Sequence, residues 1–528
     1  MRYPGCVNPL PPGEGGRDSQ RADAPGEGSC GQRFVTPALN RPLALCFLTF
    51  ALLLVANLHA AASTPLVDAV KNGNRTVVRA LLQQRVDVNA SEPDGASALH
   101  WAAQANDSET VELLIRSGAN AKATTRYGVS PLSLACTNGN ADIIEMLLKA
   151  GADPNTAQPE GETSLMTAAR TGKPEAVKVL LAHGAKVNAS EAWRGQTALM
   201  WAAAEGHAPV VKALIEAGAD IHARSNGGFT PFLFAVREGR IDAVRTLLQA
   251  GINVNETLNV PARRRPAGTQ APPDTVGPSA LVLAVANAHY ELASVLLDAG
   301  ANPNASAQGW TALHQITWVR KPGTGTNDPA PRGSGDMNSL ELVKRLVALG
   351  ANVNARMTKR ANVGVTELNM IGATPFLMAA RTADAPLMRL LAQLGGDPLL
   401  PNEDNTTPLM VAAGVGTRSP GEDSGTESEA LEAVKVALEL GGNVNAVDKK
   451  GDTAMHGAAY KWLPSVAQFL ADSGAKIEIW NQKDKSGWTP LRIAEGVHRG
   501  MNFRSSPATA AVLRQVMSAA GVSTVVEP

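Results

Sequence analysis

The sequence predicts an all-α fold, a helical solenoid of about twelve helix-turn-helix repeats joined by extended inter-repeat loops. Three observations predict it. Twelve short openings recur through the chain, spaced 33, 33, 33, 34 and 33 residues through the sixth. Every opening starts with Ser or Thr: Thr64, Ser97, Ser130, Thr163, Thr197, Thr230, Ser279, Thr311, Thr374, Thr407, Thr453 and Thr489. Each is followed by a second apolar segment with leucines at helical spacing, usually closed by a glycine. A chain that falls on itself at such a period is built of units too small to bury their own apolar faces, and stacking supplies the missing core.

Before the first repeat lie two other textures. Residues 1–41 are rich in Gly, Pro and charge and read as a disordered leader. The uncharged run LALCFLTFALLLVA, Leu43 to Ala56, is 14 residues long, short of the roughly 20 needed to span a bilayer and within the roughly 7–15 of a signal-peptide apolar region. Arg33 and Arg41 precede it, and Ala60-Ala61-Ala62 offers the small residues of a cleavage site. Residues 42–62 are therefore expected to be a signal peptide that exports the chain, to the periplasm or beyond. Retained, the same segment would be a membrane anchor. A leader this long also suggests a translation start further downstream.

From residue 63 the chain reads as repeats, units 1–6 over 63–256 and units 7–12 over 277–519, with a tail at 520–528. The opening hydroxyl can accept an orphaned N–H of the first helical turn, and Pro next to it loses nothing by lacking one. Gly118, Gly151, Gly184, Gly218, Gly251, Gly300, Gly350, Gly395, Gly441 and Gly474 close the second helices in a left-handed conformation. Unit 1 has Arg85 there instead. Four insertions interrupt the period. Those at 257–276 and 357–372 fall between units, and those at 319–335 and 414–429 fall between the two helices of one unit. Their Pro and Gly content predicts mobile loops, and their positions place the two kinds on opposite edges of the stack. In the last unit, Ser506-Pro507 reads as cap and first turn of a closing helix, with Arg514 and Gln515 on its polar outer side.

On these residues the chain resembles the ankyrin repeat family. Most openings match its T-P-L-H-x-A signature with two changes or fewer, and its G-A-D-x-N loop recurs, as at Gly151 to Asn155. The resemblance runs from residue 63 to about 519. It implies stacked helix pairs with a concave face made by the first helices, projecting loop fingers, and protein binding as the role. It also implies that His100, His314 and His456, at the His of the signature, make structural hydrogen bonds.

Composition narrows the function classes. Lys plus Arg and Asp plus Glu both total 48, so no overall basic field draws nucleic acid. Cys6, Cys30 and Cys46 precede residue 60 and only Cys136 follows, so neither an internal disulfide nor a zinc site is expected in the repeats. No nucleophile-base-orienter set, phosphate-binding loop or metal spacing is present, so neither enzymatic activity nor a cofactor is expected; an enzyme with a site built on the insertions of units 6–10 is the rival reading. The basic cluster at Ala262 to Gly268 reads as a solvated loop. Trp101 and Trp201, where this family commonly has Leu, read as core. The residues expected to meet a protein partner are Tyr127, Trp193, Arg194, Phe229, Trp310 and Trp488 on the fingers and Arg170, Glu205 and Arg237 at the ends of first helices, because exposed aromatics and Arg carry much interface energy. The partner's identity and the oligomeric state are not legible.

Overall fold

A computed structural model describes residues 64–260, 275–323, 330–363, 366–421, 423–499 and 502–525. The expected leader, signal segment and cleavage site lie outside these residues, as do the basic cluster and the end of the tail. No helix among the described residues is long and apolar enough to cross a membrane.

The capping argument holds unit by unit. The hydroxyls of Ser130, Thr163, Thr197, Thr230, Ser279, Thr374, Thr407 and Thr489 accept the backbone N–H three residues on. Ser97, Thr311 and Thr453 form capping boxes with His100, His314 and His456. Thr64, at the open end of the stack, makes no cap bond. Second helices then run antiparallel, as in unit 5, where Ala198–Glu205 is followed by Ala208–Glu216. First helices pack in one row, each against its own partner and the first helix of the next unit, and most second helices pack likewise in a second row. One apolar core runs continuously from Leu66 to Met517. Arg85 adopts the left-handed conformation its position demands, with φ 57°, at a cost of about 1–2 kcal/mol. The closing helix, Pro507–Ala519, is capped by Ser506 and turns Arg514 and Gln515 outward.

The Asn of the recurring loop has a defined task. Asn188 Nδ2 donates to the Gly218 carbonyl at 3.1 Å while its Oδ1 accepts the Asp220 N–H at 2.8 Å. Asn89, Asn155, Asn255, Asn304, Asn354 and Asn445 repeat the donation to the terminal Gly carbonyl of the next unit. Lys122, His222 and Leu399 occupy the same place in units 2, 5 and 9, leaving gaps in this ladder.

The insertions depart from expectation. The described ends of 257–276 pair as an antiparallel hairpin, β1 (Thr257–Val260) with β2 (Thr275–Ser279). A second hairpin, β3 (Val497–Arg499) with β4 (Asn502–Arg504), fills the stretched last unit. Most consequential is 357–372, whose described residues are folded where a mobile loop was expected. Met357, Ala361, Leu368 and Met370 are buried with Leu377, Met378 and Val411 in a second apolar cluster, against which Trp310 and Trp318 pack. This strap leaves the finger edge at Met357, whose N–H reaches the Ala373 carbonyl. It crosses the first helices of units 8–10 and meets the 414–429 insertion at the far edge, where Thr366 pairs with Thr417 and the Glu367 N–H bonds the Gly416 carbonyl. It then returns to the fingers, where its Ile371 carbonyl accepts the Glu403 N–H. The two kinds of insertion, expected on opposite edges, are thus tied together.

Buried charges lock the far edge. Arg320 pairs with the fully buried Asp384 at 2.7 Å, Lys321 with Glu429 at 2.7 Å, and the buried Lys461 ammonium donates to the Ser424 carbonyl at 2.9 Å. The Lys321 contact holds the Glu429 carboxyl down at about 2. Ser334, from the 319–335 insertion, reaches back to His289 of unit 7.

Candidate functional site

The first-helix face is the surface that neither the second helices nor the core occupy, and it differs along the stack. Over units 8–10 the strap covers it, so Met378 and Val411, four residues after their caps, are 0% and 2% exposed. Over units 1–6 it is open. Trp101 and Trp201, at the equivalent position, are partly buried with one side on this face; Trp101 packs against the core, as expected of it.

Cations line the open face and lie over its aromatic rings. Lys71 Nζ is 4.2 Å from the Trp101 ring centroid, and Trp101 Nε1 donates to Glu92 at 2.8 Å. With Val70, Gln104 and Ala105 they line a shallow depression of about 500 Å³. The Arg170 guanidinium lies 5.0 Å from the Trp201 ring and 3.7 Å from Glu162. Arg237 lies 4.9 Å from Phe234 and 5.0 Å from Phe229. Such contacts contribute about 0.5–1 kcal/mol at exposed sites and more when desolvated. They fix the cations in place before any partner arrives. The Trp201 indole N–H is buried without an acceptor among the described residues. Unit 2 supplies Glu92 five residues before its cap, whereas unit 5 has Ala192 there.

The expected contact residues divide into three groups. Tyr127 and Trp193 are 58% and 73% exposed on the fingers. Each is stacked by its neighbour, Arg126 at 4.7 Å and Arg194 at 4.3 Å. The Trp193 finger is stiffened by the buried Glu191 carboxylate, which accepts the N–H groups of Trp193, Arg194 and Gln196. Arg170, Glu205 and Arg237 end the first helices of units 4, 5 and 6 on the open face. The third group is corrected. Phe229 is 5% exposed, its ring packed 5.2 Å from Phe234, because its finger folds back onto the first helix. Trp310 packs edge-on to Trp318 beside the strap and donates to Gln315. Trp488 is half-buried against the core, its backbone N–H and carbonyl both held by Asp484. Residues that the sequence reasoning missed are Lys71, Trp101, Arg126, Trp201 and Phe234. The signal for two of them was present, a Trp at a helix position whose neighbours in the repeat are smaller.

The conserved geometry of the three signature histidines is structural. Nδ1 of His456 accepts the Thr453 N–H and lies 2.9 Å from its hydroxyl, while Nε2 donates to the Gln482 carbonyl. His100 and His314 repeat this with Val129 and Ala373. Both nitrogens are thereby committed to the neutral ring, and burial pushes His314 and His456 down to about 4. Burial likewise pushes the Cys136 thiol up to about 12, leaving it an inert core group. No group of His, Cys, Asp or Glu suited to a metal ion occurs among the described residues.

Comparison with known proteins agrees with this architecture. A family model described as ankyrin repeats (3 copies) matches residues 48–125, 66–158, 99–191, 132–225 and 165–257, and an ankyrin repeat model matches 277–307. Among solved structures, the human ASB11 ankyrin repeat domain is 26% identical, covering 46% of this chain and 100% of that one, with a TM-score of 0.38. By those matches the first seven units are ankyrin repeats, and capped helix pairs of the same kind continue through the twelfth.

Proposed function

We propose that this ankyrin repeat protein is a non-enzymatic, exported scaffold that binds a protein partner through the first-helix face and the fingers of units 1–6. Ankyrin repeats are protein-interaction modules, which supports the general reading. The observation that carries the finer one is the contrast along the stack. Where the strap lies, Met378 and Val411 at the fourth position are sealed; where it is absent, Trp101 and Trp201 are only partly buried, one beneath Lys71 and the other beneath Arg170, while Phe234 of unit 6 is covered by its own finger. Exposed aromatic and Arg groups held by a rigid framework lose little entropy on binding and suit an interface core. Export rests on the sequence of residues 42–62 alone.

Photo-crosslinking tests the surface. A photoreactive residue at Gln104 or Ala204 should capture a discrete partner, while one at the exposed Leu349 on the second-helix side should not. Equal capture from both sides would sink the assignment. Cell fractionation with N-terminal sequencing tests export: a soluble extracytoplasmic product starting near Ser63 is expected. A membrane-bound product with an intact apolar run would show the tethered alternative.

A further inference from the structure

The strap provides an internal example of what the first-helix face can hold. Counted from the capping hydroxyl, the seventh residue of units 4, 6 and 9 is an arginine: Arg170, Arg237 and Arg381. Arg381 is engaged, its Nη2 donating to the strap's Val363 carbonyl at 3.3 Å while Asp423 balances its charge. Beside it, the fourth-position Met378 and Val411 receive the strap's Leu368 and Met370. Units 8–10 therefore bind an ordered peptide segment with one arginine on a main-chain carbonyl and aliphatic side chains on the fourth-position residues.

Units 4–6 present similar elements with no strap over them, although in unit 6 the fourth-position Phe234 is covered by Phe229 of its own finger. Arg170 and Arg237 flank unit 5, whose seventh residue is Ala204 and whose fourth is the half-exposed Trp201. The small alanine between two arginines leaves a notch against the indole. Arg170 has donors to spare, its nearest carboxylate, Glu162, standing 3.7 Å away.

We infer that the open face of units 4–6 takes an extended, aliphatic segment of a partner protein, with Arg170 and Arg237 each receiving one of its main-chain carbonyls and Trp201 seating a Leu- or Met-like side chain between them. This rests on the protein-binding reading and names the chemistry of its partner. Two helix spacings of about 8–10 Å separate the arginines, and an extended chain advances about 3.3 Å per residue. The two carbonyls are then about five or six residues apart. Glu162 and Glu238 offset the charge of the two arginines and Glu205 is exposed beside them, so recognition rests on main-chain carbonyls and aliphatic side chains rather than on net charge.

The test is selection of a displayed library of random 12-residue peptides on the full chain, followed by fluorescence anisotropy of the enriched sequences. The expected peptides are aliphatic. Arg170→Ala with Arg237→Ala should raise their Kd at least tenfold, and Arg→Lys at both positions should restore part of the loss. These side chains are partly exposed, so thermal melting should confirm that the double variant stays folded; Trp201→Phe serves as the milder change at the seat. If no peptide is enriched, or if binding is unchanged in the double variant, the inference is overturned. In the latter case, binding lost instead with Tyr127→Ala and Trp193→Ala would leave the protein-binding reading standing on the fingers. If a synthetic 357–372 peptide is the sole binder, the occupant is the strap of a second copy, and the assignment to a partner protein fails.

Discussion

Replacing Gly416 by Ala should evict the strap without altering any strap residue. Gly416 lies under Leu368 with φ 92°, and a Cβ there would meet Leu368 Cβ at 2.7 Å, its Cα at 3.0 Å and its N at 3.1 Å. Two of those three atoms are backbone, so a rotamer change cannot relieve the contact. The left-handed conformation costs about 1–2 kcal/mol for a residue with a Cβ, and overpacking adds about 1–3 kcal/mol. The strap should lose roughly 2–5 kcal/mol of local stability, which is about 30-fold to a few thousand-fold in its opening equilibrium. Amide hydrogen exchange reads this at Glu367, Met357 and Glu403, whose N–H groups bond Gly416, Ala373 and Ile371 carbonyls. Val211, bonded to His207 within unit 5, serves as the distant control. Unit 5 lies outside units 8–10 and their strap, so its exchange should not change. Unchanged exchange at Glu367 in Gly416→Ala would refute the view that this contact holds the strap. Equal acceleration at Val211 would refute the one-dimensional picture.

Other consequences are open to simpler assays. His314 and His456 are held neutral in the fold near 4 against 6.5 for the free side chain. The unfolded chain therefore binds their protons first as pH falls, so stability is complete above pH 6.5 and declines toward pH 4, by about 3 kcal/mol for each ring. His456→Gln keeps a capping-box residue but cannot titrate, so its melting temperature should fall less steeply over that window; an unchanged slope would show that the ring is not the titrating group. Asn188→Ala should cost about 1 kcal/mol by removing two exposed hydrogen bonds, and Leu399→Asn should add a similar amount by filling a gap in the ladder, both read by denaturant unfolding. Phe229→Ala should cost about 3–5 kcal/mol as a core truncation, whereas Trp193→Ala, 73% exposed, should stay within about 0.5 kcal/mol. Comparable losses at both would mean the fingertip tryptophan is structural.

The repeats were legible because each of their rules is local. A hydroxyl capping the N–H three residues on, a glycine or Arg85 at a left-handed helix end, and leucines at helical spacing all act within one unit. The strap was not legible, because it depends on partners far along the chain. Leu368 needs Gly416, and Arg381 must reach Val363 while the 414–429 insertion supplies Asp423. Composition suggested mobility, yet Met357, Leu368 and Met370 are apolar residues with no helical period to explain them. Gly457 was a second unread sign. It stands where other units carry a larger side chain, because the Gly414–Val415 backbone packs against it, with Val415 N 2.6 Å from where its Cβ would be.

At the candidate face, sequence reasoning found Tyr127 and Trp193 because a fingertip has few neighbours to bury it. It misplaced Phe229, Trp310 and Trp488 because exposure depends on what folds back over a loop, namely Arg237 and Phe234, the strap with Trp318, and the Asp484 turn. For Trp101 and Trp201, read as core, it did not show the part of each side chain that the open face leaves uncovered.

The direct measurement is a hydrogen-exchange and crosslinking footprint of the full chain with its captured partner bound. Protection and crosslinks at Trp101, Arg170, Trp201 and the Trp193 finger, with units 8–10 unchanged beneath their strap, are the predicted result. A footprint confined to the second-helix side, or one centred on units 8–10 with the strap displaced, would contradict it.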